Sequence, residues 1–61
     1  QYDKAIKDYN KAIALDPNYT AAYVNRGLAY YNKGTLGRAI SDFQKACEMG
    51  NEMGCEAYKR R

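Results

Sequence analysis

Sixty-one residues with ten Lys and Arg, seven Asp and Glu and no His make one small domain of net charge +3. A chain of this size buries only about 60% of its unfolded surface, which leaves little room for an enclosed active-site cavity. No run of about 18 apolar residues is present to form a membrane-spanning helix, and the lack of His excludes a His-based catalytic triad.

From Tyr2 to Leu15 the apolar residues Tyr2, Ala5, Ile6, Tyr9, Ala12, Ile13 and Leu15 recur at steps of three and four. That spacing predicts an amphipathic helix, with Lys4, Lys7, Asp8 and Lys11 on its wet side. Asp16-Pro17-Asn18 stops it, because Pro has no N–H to donate and restricts the residue before it. A second helix is expected to start at Thr20 as N-cap and to run to Lys33, with Gly34 closing it. Its core stripe reads Tyr23, Gly27, Tyr30 and Tyr31, with Ala22 and Ala29 beside it.

The third helix is expected from Leu36 to Met49, its stripe being Leu36, Ala39, Ile40, Phe43, Ala46 and Cys47. Gly50 ends it and Asn51 caps a short fourth helix from Glu52, with Met53, Ala57 and Tyr58 facing inward. No segment has the strict alternation of a half-buried strand. The fold class is therefore all-α: about four helices, joined by loops short enough to set neighbours antiparallel.

Lys59, Arg60 and Arg61 supply the whole charge excess; the other residues carry seven basic and seven acidic side chains. Nucleic-acid binders usually spread their basic residues along a face. Here the plain reading is a solvated basic end at a helix C-terminus. Contact with nucleic acid or acidic lipid is the weaker alternative, and it would show as a steep loss of binding with salt. The opening QYDKAIKDYN has no apolar signal core, so no targeting peptide is visible. The chain lacks an initiator Met and starts in mid-pattern, so it reads as a fragment whose compartment is unknown.

AIKDYNKA, from Ala5 to Ala12, returns 34 positions later as AISDFQKA, from Ala39 to Ala46. Ala5, Ile6, Asp8, Lys11 and Ala12 meet identical residues at Ala39, Ile40, Asp42, Lys45 and Ala46, and Tyr9 meets Phe43. One helix is thus used twice, packed the same way each time. The period of 34 with two helices per unit resembles the tetratricopeptide repeat family. The first helix of that family reads W-x2-L-G-x2-Y, and this chain has Tyr23, Arg26, Gly27 and Tyr30 in those places. Ala39 and Phe43 match the A-x3-F of its second helix. Three departures stand out: Tyr23 for Trp, Arg26 for Leu, and Asn51 for the closing Pro. Arg26 is expected to lay its stem on apolar surface and put its head in water.

The resemblance implies a helix-turn-helix repeat solenoid fragment: residues 1–19 as the second helix of a partial repeat with its loop, 20–53 as a complete repeat, and 52–61 as a terminal or capping helix. It implies a scaffold that holds a peptide or helix of a partner protein on the concave side, lined by the first helix of each unit. The concave row would be Ala21, Val24, Asn25, Leu28, Tyr31 and Asn32. In family members that clamp a peptide's C-terminal carboxylate an Asn stands at the place of Asn25, and Lys59 falls at the equivalent place of the next helix. Val24 and Cys55 stand where further lysines would help, so the clamp is incomplete.

KACEMGNEMGC, from Lys45 to Cys55, resembles the helix junction of cysteine-rich Sel1-like repeats, where a Cys late in one helix bridges to a Cys early in the next. A Cys47–Cys55 disulfide on that pattern would suggest an extracytoplasmic compartment. The alternative is a pair of free thiols, since Cys47 fills the slot of Ile13 and suits a small buried apolar group. Two Cys without His fall short of a metal site. Asp8 and Asp42 read as solvated carboxylates. No phosphate-binding or dinucleotide motif calls for a cofactor, so an enzyme is not expected. The alternative function is self-association into a homodimer, through a partly uncovered face of Tyr2, Ile6, Tyr9 and Ile13.

Overall fold

The computed structural model describes residues 1–60, which form four α-helices: α1 (Tyr2–Leu15), α2 (Thr20–Lys33), α3 (Leu36–Glu48) and α4 (Glu52–Lys59). Each packs on its neighbour in the chain, α1 on α2, α2 on α3 and α3 on α4. The expected all-α repeat architecture is the one observed.

The connections explain the order. Asp16 folds the first loop by accepting the Asn18 N–H at 3.1 Å. That turn brings Tyr19 to the N-cap and makes Thr20 the first helical residue. The Thr20 hydroxyl donates back to the Asn18 carbonyl instead of capping. At the end of α2, Gly34 sits at φ 93° and Thr35 N–H reaches the Tyr30 carbonyl at 2.9 Å. Gly50 does the same at φ 91° with Asn51 N–H on the Ala46 carbonyl, so α3 ends at Glu48 and Met49 is its cap. Only Gly takes this left-handed conformation at little cost. Asn51 then caps α4, its side-chain oxygen accepting the Gly54 N–H at 2.8 Å.

The core is built from three helices: Ile6 of α1, Ala29 and Tyr30 of α2, and Ala39 and Phe43 of α3, with Ala57 and Tyr58 of α4 packed against it. Ala46 and Ala22 are also buried, small residues where helices come close. Five inward expectations are corrected: Tyr2 and Leu36, at the starts of α1 and α3, are both exposed, and three more fail. Leu15, the last residue of α1, is exposed beside the Pro17 turn; Met53 lies on the outer side of α4; and Tyr31 stands 59% exposed at the edge of α2.

Cys47 and Cys55 are joined by a disulfide across the α3–α4 turn, with Cα atoms 4.4 Å apart. The bridge closes a loop with a sequence separation of 8. Closing so short a loop removes about 2.5 kcal/mol of unfolded-state entropy. Reduction is therefore expected to lower the melting temperature by roughly 10–20 °C for a domain of this size. An unchanged melting curve with reductant would show that the Asn51 cap and the core hold α4 unaided.

Lys33 and Asp3 pair between the end of α2 and the start of α1. The hydrogen bond from the Lys33 ammonium, with its charge, holds the Asp3 carboxyl below its ordinary range.

Candidate functional site

Large apolar side chains left uncovered on a small domain mark contact surfaces. Here three of them converge. Leu28 and Tyr31 of α2 and Leu36 at the start of α3 are each between 43% and 59% exposed. They share one groove with Ile40, Phe43, Ala57 and Arg60. α2 forms one wall, α4 the other, and α3 supplies the floor. Leu36, Ile40 and Phe43 stand on a single face of α3 at steps of four and three. The lining is mostly apolar, with a cation at one end. Among the described residues Arg60 pairs with Glu56 in a loose 3.9 Å contact between exposed groups, which leaves its guanidinium room to turn toward an occupant.

Leu28 and Tyr31 of the expected binding row thus meet in this groove. Val24 does not, because α2 is closed over at that level and Val24 is buried. Ala21, Asn25 and Asn32 are exposed on α2 outside the groove lining. Lys59 lies elsewhere, in a shallow depression with Gly50, Glu52, Cys55 and Glu56. Asn25 and Lys59 therefore share no lining with the apolar groove. Leu36, Ile40, Phe43, Ala57 and Arg60 line the groove without belonging to the expected row. Their helical spacing was visible, but it reads equally as core.

Behind the groove, Arg26 corrects two expectations. Its guanidinium does not point to water: Nε and Nη2 donate to the two carboxylate oxygens of Asp42 at 2.8 and 2.7 Å. Nη1 donates to the Asn10 side-chain oxygen of α1 at 2.9 Å, and the guanidinium also lies 5.6 Å from the Tyr23 ring centre. Asp42 is buried, not solvated, and the forked pairing satisfies both of its oxygens. The hydrogen bond to Asp42 raises the Arg26 pKa further above its ordinary value. Next to it Gly27 leaves room for the Phe43 ring, which a Cβ there would meet at 2.7 Å. That close approach seats Phe43 under the groove.

Two models of the same repeat match the chain, one described as TPR repeat over residues 1–34 and one as tetratricopeptide repeat over residues 20–49. The chain belongs to the tetratricopeptide repeat family. Among its relatives, Small glutamine-rich tetratricopeptide repeat-containing protein 2 of Saccharomyces cerevisiae is 35% identical over 98% of the chain and 17% of its own length. Serine/threonine-protein phosphatase 5 of Homo sapiens is 38% identical over 98% of the chain and 12% of its own. Heat shock protein STI1 of Saccharomyces cerevisiae is 46% identical over 97% of the chain and 10% of its own. The chain spans less than a fifth of each of these relatives. No solved structure matches it. The match to a phosphatase lies in a segment too short to carry that protein's chemistry, and tetratricopeptide repeats are in general non-catalytic interaction modules.

Proposed function

We propose that this repeat is a protein-binding module whose groove between α2 and α4 takes an apolar anchor from a peptide or helix of a partner protein. The observation that carries the reading is the convergence of Leu28, Tyr31 and Leu36, all exposed, over Ile40, Phe43 and Ala57. Arg60 at the end of the groove favours a carboxylate next to the anchor. The ends of the unit follow from the same reading: a half repeat to residue 19, a full repeat from 20 to 53, and a closing helix from 52. The disulfide across the Gly50–Asn51 turn supports reading this junction as one of the Sel1-like kind.

A panel of short peptides with Leu or Phe anchors, with and without a following Glu, tests the groove by amide shift changes in NMR. Shifts are expected at Leu28, Tyr31, Ile40 and Ala57. Leu28→Ser with Leu36→Ser should weaken the best peptide by about tenfold, because apolar anchors carry most of the affinity of such contacts. Shifts confined to Asn25 and Lys59, or none at millimolar peptide, would overturn the assignment.

A further inference from the structure

A single covalent cross-link joins two of the helices, and it holds the helix that walls the groove. Cys47 stands in the last turn of α3 and Cys55 near the start of α4, with Cα atoms 4.4 Å apart. Ala57 and Arg60, which line the groove, follow on the same short helix. Gly54, next to Cys55, lies so close to α3 that an added Cβ would stand 2.6 Å from the Ala46 Cβ. The crossing of α4 on α3 is thus a close backbone approach pinned by the disulfide, and the groove wall extends from it. A helix of 8 residues has little stability of its own. Its position depends on the bond, on the Asn51 cap and on the packing of Ala57 and Tyr58.

The bond is also within reach of a reagent. Cys47 and Cys55 are each half-buried. Cys55 lines the shallow depression with Gly50, Glu52, Glu56 and Lys59, and no residue of that depression lines the groove. The sulfur can therefore be attacked without entering the place of a bound peptide.

We propose that the Cys47–Cys55 disulfide is a redox latch on the groove. Closed, it holds α4 in place as the far wall; opened by a dithiol, it lets α4 tilt about the Gly50–Asn51 turn, and the groove releases its occupant. This rests on the groove being the binding site. The chemistry is thiol–disulfide exchange. A thiolate of the dithiol attacks the Cys55 sulfur, a mixed disulfide forms, and Cys47 leaves as a thiolate that takes up a proton. The second thiol of the reductant then attacks its own sulfur in the mixed disulfide and releases Cys55, which is protonated in turn. Two electrons and two protons pass to the protein, and the dithiol leaves as a cyclic disulfide. Two carboxylates against one ammonium make the depression acidic, which disfavours a reductant bearing carboxylates of its own. Linkage makes the latch reciprocal: a peptide that binds the closed form more tightly resists reduction of the bond by the same factor.

The first test needs no ligand. NMR spectra of the peptide-free chain are compared before and after dithiothreitol, and with Cys47→Ser and Cys55→Ser combined. Native-state signals of Leu28, Ile40 and Ala57 are expected to move when the bond is open. A bond that only stabilises would lower the melting temperature and leave those signals in place. The second test adds a blocked peptide with a leucine followed by glutamate. Reduction should weaken it by about tenfold, the loss expected when about one molecule in ten keeps α4 in place. Saturating peptide should then make the disulfide potential more negative by about 30 mV, the two-electron equivalent of that tenfold change. Groove signals that stay put, equal peptide affinity in both states, or complete unfolding on reduction would each overturn the latch. A peptide that fails to bind the oxidised chain would instead remove the groove reading, and the signals of the peptide-free chain would still decide whether the bond sets the wall.

Discussion

Gly54→Ala is expected to destabilise the chain by about 2 kcal/mol, although alanine is the better helix former. A Cβ at Gly54 would stand 2.6 Å from the Ala46 Cβ, 3.0 Å from the Cys47 nitrogen and 3.1 Å from the Phe43 carbonyl oxygen. Two of these are backbone atoms of α3 and cannot turn aside as a side chain can. The short α4 must move as a body, and the disulfide at Cys55 keeps it from leaving. Ala57 and Arg60 would move with it, so the groove should lose its far wall and peptide binding with it. Gly37 is the contrasting case: it is exposed in α3 with nothing within 4 Å of an added Cβ. Gly37→Ala should raise stability by about 0.5–1 kcal/mol. Urea titrations of both variants decide the matter, and a stabilised Gly54→Ala would mean that α3 and α4 pack less closely than described.

The second large effect belongs to Arg26. Arg26→Leu restores the residue that the family motif carries, yet it is expected to cost about 3 kcal/mol, because it strands the buried Asp42 carboxylate. The low end of the range for broken buried pairs applies, since the Arg26 side chain is 20% exposed and water shares its charge. A domain of 61 residues has roughly 3–9 kcal/mol in total. The single variant should therefore show a partly unfolded population at 25 °C by circular dichroism. Arg26→Leu combined with Asp42→Ala removes both charges and should regain most of the loss. If the single variant melts like the wild type, the pair contributes nothing to the fold.

These two sites mark where the sequence stops being legible. The helices could be read closely because Ala5 to Ala12 and Ala39 to Ala46 repeat at 34 and because Pro17, Gly34 and Gly50 punctuate them. Thr20 and Met49 were each misplaced by one residue, since a turn bond from Asp16 and a cap on Ala46 decide those ends. Helical spacing tells which residues share a face, not what covers it. Val24 and Leu28 share one face by the count, and only packing closes the first and opens the second. Asp42 looked solvated for the same reason, because its partner lies 16 positions away on another helix. The substitution of Arg for Leu at position 26 is the available signal: a charge in an apolar slot calls for a buried counter-charge, and of the two acids of α3, Asp42 and Glu48, only Asp42 falls on its apolar stripe.

The reach of Arg26 has a consequence for how the stack melts. In repeat proteins stability is close to a sum of unit terms and nearest-neighbour interfaces, so ends can fray without disturbing the middle. One guanidinium here holds Asn10 of α1 and Asp42 of α3 at once, with α2 between them. That adds a link between next-nearest helices. Loss of α1 removes a contact from the guanidinium that neutralises Asp42 of α3, so fraying at the first helix is transmitted one element further than stacking alone would carry it. Unfolding of this short array should accordingly be all-or-none rather than stepwise.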